Sequence, residues 1–167
     1  MRKILEESGM RIPYQDEACY LIEKSPVVAK LTGVKIVEFV QANGTAKVVM
    51  LEAKTSAPQP ANKEDYDRYI KEICEKFQNS MSLLNAAKMK RHPKLYDELP
   101  QPLKNVNYKE TNYWLYFVIK NSKDDWIINL SEDLRRQLHP FLKCWNVPDG
   151  NFIVVNESMA QSIGIVE

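Results

Sequence analysis

Histidine, cysteine and glycine are all scarce in this chain of 167 residues, and each scarcity excludes a class of chemistry. The three cysteines are far apart and form no Cys-x-x-Cys pair, and only two histidines are present, so neither a disulfide framework nor a zinc site is expected. The five glycines form neither a Gly-x-Gly-x-x-Gly pattern nor a Walker phosphate loop. The chemistry that remains open is that of carboxylates, lysines and a divalent metal.

Long apolar runs are also absent. The longest, from Tyr113 to Ile119, has seven residues, well short of the roughly 20 that a membrane-spanning helix needs. The first residues carry charge but no apolar segment typical of a signal peptide. We therefore expect a cytoplasmic protein without a membrane partner.

Neither sign of charge dominates. Lysine and arginine total 23 and aspartate and glutamate total 22, which gives a net charge of +1. This balance excludes a polybasic nucleic-acid coat and an acidic disordered tail. With 44% hydrophobic residues, the length and composition predict one globular domain over residues 1–167.

The hydrophobic periodicity predicts a mixed α/β domain with a central sheet flanked by helices. A long helix is predicted after Asn62, because apolar residues recur there at steps of three and four, and an apolar strand is predicted over 112–120. Before the hairpin region, we expect an amphipathic leader over 1–14 and a short helix over 16–24. After 120, we expect a short strand over 126–130 and then a helix from Ser131 that Pro140 bends or ends. A strand over 152–155 and a terminal helix complete the predicted order.

The clearest local unit is a β-hairpin. Two apolar, β-branched runs, 34–41 and 46–55, flank the dipeptide Asn43-Gly44. An Asn-Gly between two such runs is the strongest short-range signal for a hairpin.

The end of the second run carries the candidate chemistry. Residues i and i+2 of a strand share a face, so Glu52 and Lys54 project together, on the same side as Val48 and Met50. Glu38 lies within the apolar run of the preceding strand. Buried charges are costly unless they pair or bind a metal, so these residues mark a candidate site.

Glu38, followed thirteen residues later by Glu52-Ala53-Lys54, resembles the signature of the PD-(D/E)XK (restriction-endonuclease-like) nuclease superfamily. In that family an acid on one hairpin strand and an acid-x-Lys on the next share a site at the sheet edge. The resemblance covers roughly residues 15–120 as the core and leaves 121–167 as C-terminal strand and helix additions.

The resemblance implies a catalytic trio of Glu38, Glu52 and Lys54. Glu38 and Glu52 would hold Mg²⁺ or Mn²⁺, and Lys54 would offset negative charge at the scissile phosphate. An acid nearer the start of the chain, Glu17 or Glu23, would be a further ligand or a partner of one, and the sequence does not choose between them.

Glu38 can lie beside Glu52 and Lys54 only if the hairpin loop has a suitable length. A two-residue turn at Asn43-Gly44 would place Glu38 opposite Val49, on the face away from Glu52. We therefore expect an odd-length loop, a bulge or a strong twist near Gly44.

The function that these residues predict is metal-dependent hydrolysis of phosphodiester bonds in nucleic acid, with DNA as the expected substrate. The near-zero charge favours delivery by a local basic groove, a homodimer or a protein partner. The alternative is a non-catalytic interaction module that keeps the fold within a larger DNA-processing or defence assembly. A third reading is a plain binding protein in which the two acids pair with lysines such as Lys35 and Lys47 across the hairpin.

Overall fold

A five-stranded mixed sheet forms the centre of the protein, for which a computed structural model describes all 167 residues. The strand order is β3-β4-β5-β6-β7, antiparallel from β3 to β5 and parallel from β5 to β7. A separate antiparallel hairpin is made of β1 and β2. The strands are β1 (Arg2–Glu7), β2 (Met10–Gln15), β3 (Cys19–Tyr20), β4 (Phe39–Ala42), β5 (Lys47–Lys54), β6 (Asn112–Ile119) and β7 (Phe152–Asn156).

Helices supply both parallel connections. The long helix α1 (Lys63–Lys88) links β5 to β6, followed by the short helices α2 (Pro93–Glu98) and α3 (Gln101–Asn105). The helix α4 (Asp124–Cys144) links β6 to β7, and α5 (Glu157–Ser162) follows β7. None of these helices is both long enough and apolar enough to cross a membrane. The α/β class predicted from the sequence is confirmed.

The two faces of the sheet are buried against different elements. One face packs on α1 and α4, where Met50, Phe77 and Leu134 are fully or almost fully buried together. The other face, which includes Leu51 and Val118, is covered by the β1–β2 hairpin and α5. Because β5 is covered on both sides, a polar side chain near its end lies in the interior, unlike one on a solvated sheet.

The β4–β5 hairpin has a loop with an odd number of residues, as convergence of Glu38 with Glu52 and Lys54 requires. Ala42 pairs with Val48, and the Asn43 N–H donates to the Lys47 carbonyl at 2.8 Å. Three residues, 44–46, therefore form the loop, and Gly44 adopts a left-handed φ of +73°. The predicted odd-length loop is confirmed.

Several element predictions are wrong. Residues 1–14 form most of the β1–β2 hairpin, which closes through Ser8 and Gly9, both with positive φ, as a two-residue hairpin turn requires. The segment 16–24 contains two short 3₁₀ turns around β3 in place of a helix. The predicted strand at 126–130 belongs to α4, which also continues past Pro140 to Cys144. Residues 121–167 contribute β7, which extends the central sheet, and α4, which packs on it.

Replacing Gly44 by alanine tests the loop. We expect Gly44→Ala to lower the free energy of unfolding by about 1 kcal/mol, because a side chain disfavours left-handed φ although no atom lies within 4 Å of the added carbon. Gly150→Ala is the matched control, since that glycine also has free space but not a positive φ. Urea unfolding measures both variants, and equal effects would contradict the assignment.

Candidate functional site

The hairpin register brings two glutamates together. β4 begins one residue later than the predicted strand would need, since Phe39 is its first residue and pairs with Leu51. Glu38 lies just before β4, where its N–H donates to the Leu51 carbonyl at 3.0 Å, and its carboxyl is close enough to Glu52 for the charge of Glu52 to raise its pKa. Lys54 follows Glu52 on the same face of β5 two residues later. The structure thus brings together all three residues singled out in the sequence.

Glu52 is the most unusual side chain in this group. It is 0% exposed, and neither carboxylate oxygen has a partner with hydrogen-bond geometry. The Lys76 Nζ lies at ion-pair distance, 2.7 Å from Oε1, and the Lys54 Nζ is 3.4 Å from the same atom. Burial raises the pKa of Glu52 to about 6, while Lys76 and then Lys54 oppose that rise. One buried carboxylate therefore has two ammonium neighbours and unused coordination capacity.

Glu38 is nearly as buried, with 6% exposure, and it has no ion-pair partner. Burial raises the pKa of Glu38 to about 9, and Glu23, Glu52 and Glu7 add to the rise in that order. The Glu38 carboxyl is therefore protonated at neutral pH unless a cation lies beside it.

The structure resolves the choice between the two earlier acids. One carboxylate oxygen from each of Glu7, Glu23 and Glu38 lies within 4.8 Å of the others. Glu17 is exposed and pairs with the terminal amine of Met1. Glu23 therefore belongs to the candidate site and Glu17 does not.

Three side chains of the site escaped the sequence reasoning. Lys76 carried a signal, because it is a charged residue between Ile73 and Phe77 on the buried stripe of α1. Glu72 is four residues earlier on the same helix and lies 3.8 Å from the Lys54 Nζ. The third is Glu7, at the end of β1, and the Ser8-Gly9 pair that follows it was an overlooked signal for a turn.

Lys35 and Lys47 do not pair with Glu38 or Glu52, so the ion pairs expected in the third reading of the sequence are not formed. The Lys35 Nζ lies 3.3 Å from Glu72 on α1, and the Lys47 ammonium lies over the Trp114 ring, 4.7 Å from its centroid.

A cleft of about 390 Å³ opens beside the site. Glu23 and Lys76 line it together with the loop between Val28 and Ile36. A second cleft of about 380 Å³ lies between α1 and α4, where Asp133 accepts a hydrogen bond from the Tyr66 hydroxyl at 2.8 Å. Of these two clefts, only the first is lined by residues of the site.

The donor set fits a hard divalent cation. Glu7, Glu23, Glu38 and Glu52 supply carboxylate oxygens, the ligands that Mg²⁺ and Mn²⁺ prefer. Oε1 of Glu52 is next to the two ammonium groups, whereas Oε2 is buried with neither an ion-pair nor a hydrogen-bond partner and so offers a free coordination position. Comparisons of the chain with protein-family models, curated proteins and solved structures find no match.

Replacing Lys76 tests the buried ion pair. We expect Lys76→Met to lower the free energy of unfolding in EDTA by about 3 kcal/mol, because it leaves the Glu52 charge unpaired in the interior. The double variant Glu52→Gln/Lys76→Met should recover part of the loss. Lys71→Met is the control, since Lys71 is on the same helix and its side chain is 74% exposed. A loss below about 1 kcal/mol by urea unfolding would contradict the pairing.

The pH dependence of metal-free stability tests Glu38. Since the folded pKa is raised, the folded protein retains a proton that the unfolded chain releases, so stability should fall as pH rises from about 5 towards 9. One carboxyl contributes at most about 1.4 kcal/mol per pH unit.

We expect Glu38→Gln to remove most of this slope, with a smaller part left by Glu52 below pH 6. Urea midpoints measured in EDTA between pH 5 and 9 check both sequences. Stability that rises over this range in the wild type would refute the assignment.

Proposed function

We propose that this protein is a metal-dependent nuclease that hydrolyses phosphodiester bonds of nucleic acid, with DNA as substrate, and that it belongs to the PD-(D/E)XK-like nucleases. The observation that carries the proposal is the approach of two buried acids, Glu38 and Glu52, at the start of β4 and the end of β5, with Lys54 beside Glu52 and the Glu52 Oε2 unpartnered. The element order supports it, since three strands of the central sheet precede α1 and β6 follows it.

Each residue has a distinct task in this reaction. Glu38 and Glu52, with Glu23, hold the cation, which when bound lowers the pKa of a coordinated water and stabilises charge on the phosphate. Lys54 stands at the end of β5 with its side chain 30% exposed, so its ammonium can reach both Glu52 and an incoming phosphate. There it orients the attacking water and offsets the charge that develops on the phosphate oxygens.

Substrate binding requires help from outside the glutamate cluster. The chain has a net charge of only +1, and the site itself is rich in carboxylates. The ammonium of Lys88, the last residue of α1, donates to the Lys104 carbonyl and is not free to bind a phosphate. A homodimer or a protein partner that supplies cationic surface fits this charge distribution, and three free cysteines fit a cytoplasmic setting.

The ion pair of Lys76 with Glu52 favours a second candidate, the non-catalytic interaction module. At 2.7 Å the ammonium already neutralises the buried acid, as a cation would. In that case the fold persists without metal, and its surfaces serve assembly with other proteins.

Cleavage assays separate the two functions. We expect the wild-type protein to cleave labelled DNA with Mg²⁺ or Mn²⁺ and to lose this activity in EDTA. Glu52→Gln and Lys54→Met should each lower the rate by about 10²-fold or more, because each removes a group that stabilises charge in the transition state.

Lys71→Met, on the exposed side of α1, is the control and should keep the wild-type rate. Circular dichroism checks that each variant folds, and Lys54→Met keeps the assay informative if Glu52→Gln does not. No cleavage of single-stranded DNA, double-stranded DNA or RNA by the wild type would favour the interaction module.

A further inference from the structure

The tip of the β1–β2 hairpin is fastened next to the acidic site. The Ser8 hydroxyl donates to the carbonyl of Ala53 at 3.1 Å, and Ala53 lies between Glu52 and Lys54 in β5. The Lys120 ammonium, just after β6, donates to the Gly9 carbonyl at 2.6 Å. The hairpin tip is therefore fixed relative to the catalytic strand at two points.

This docking determines where Glu7 lies. The residue ends β1, and the Ser8 N–H donates to its Oε1 at 3.0 Å, which fixes the orientation of the carboxylate. Glu7, Glu23 and Glu38 approach one another within 4.8 Å, and none of the three forms an ion pair with a basic side chain. Three carboxylates from separate parts of the chain thus converge without an ion pair of their own, since Lys76, the nearest buried ammonium, pairs with Glu52.

A second observation points to a cation at this position. Glu52, close to Glu38, is fully buried, and while Lys76 lies 2.7 Å from its Oε1, its Oε2 has no partner. Glu38 itself is over nine-tenths buried, and its carboxylate belongs to the cluster with Glu7 and Glu23. Ionised groups this close and this buried repel one another unless a cation or a proton intervenes.

We propose that Glu7 is a ligand of the divalent cation at this site, so that the β1–β2 hairpin contributes a ligand to the metal site. Glu7 and Glu23, with Glu38, form a cation position that adjoins the Glu38–Glu52 pair. The ligand class is a hard divalent ion such as Mg²⁺ or Mn²⁺. This inference rests on the proposed function and adds to it a carboxylate outside the three-residue motif.

Titration calorimetry with Mn²⁺ tests the role of Glu7. We expect Glu7→Gln to weaken Mn²⁺ binding about tenfold or more, because the amide keeps the acceptor for Ser8 but loses the charge. Glu6→Gln is the matched control, since Glu6 is the neighbouring acid on β1, is exposed and forms no ion pair. It should bind Mn²⁺ like the wild type.

Thermal unfolding in EDTA separates ligation from structural support. Without metal, Glu7→Gln should have a Tm equal to or above that of the wild type, because it removes a like charge from the cluster. A lower Tm in EDTA together with weaker Mn²⁺ binding would make Glu7 a structural residue and overturn the inference.

Glu52→Gln distinguishes the failure of this inference from that of the proposed function. Wild-type affinity in Glu7→Gln, with binding lost in Glu52→Gln, overturns the role of Glu7 and leaves the proposed nuclease site intact. Absence of Mn²⁺ binding to the wild-type protein at millimolar concentration overturns both.

Discussion

The carboxylate of Glu52 is held inside the protein at the end of a strand that is covered on both faces. Removing a charged carboxylate from water costs several kcal/mol, and the ammonium of Lys76 recovers that cost only in part, since the pKa of Glu52 is still raised. The basic side chains around Glu52 are placed so that they offset this cost of burial. Lys76 occupies a position on the buried stripe of α1 where an apolar residue would otherwise pack, and Lys54 folds back towards the same acid.

The three-residue loop at Gly44 determines where Glu38 lies relative to the buried Glu52. Side chains alternate between faces, so a loop one residue shorter would turn Glu38 away from Glu52. The observed loop brings the two acids close together, and burial, then the hydrogen bond with Glu23 and the charge of Glu52, raise the pKa of Glu38. The length of a loop at the surface thus determines how close two buried carboxyl groups lie in the interior.

Sequence patterns predicted the parts of the fold whose signal is local. The apolar stripe of α1, the Asn43-Gly44 hairpin and the buried strand β6 each carry a periodicity or turn that needs no distant contact. Within the site, Glu38, Glu52 and Lys54 could be predicted from the sequence because all three belong to one hairpin, Glu38 just before β4 and the other two at the end of β5. Glu7 and Lys76 reach the site only through tertiary packing, and β3 has two residues, too few for any periodicity. Such positions depend on contacts that a linear pattern does not encode.

The two bonds that fasten the hairpin tip also have a consequence for the order of folding. The bond between Lys120 and Gly9 joins residues 111 positions apart, and the bond between Ser8 and Ala53 joins residues 45 apart. Closing loops of this length costs chain entropy that is offset only once the partner elements are in place. The two anchor points belong to β5 and to the residue that follows β6, so we expect the β5–α1–β6 unit to form before the hairpin docks and covers the sheet face that contains Leu51 and Val118. A chain with native secondary structure would then still lack a complete acidic cluster.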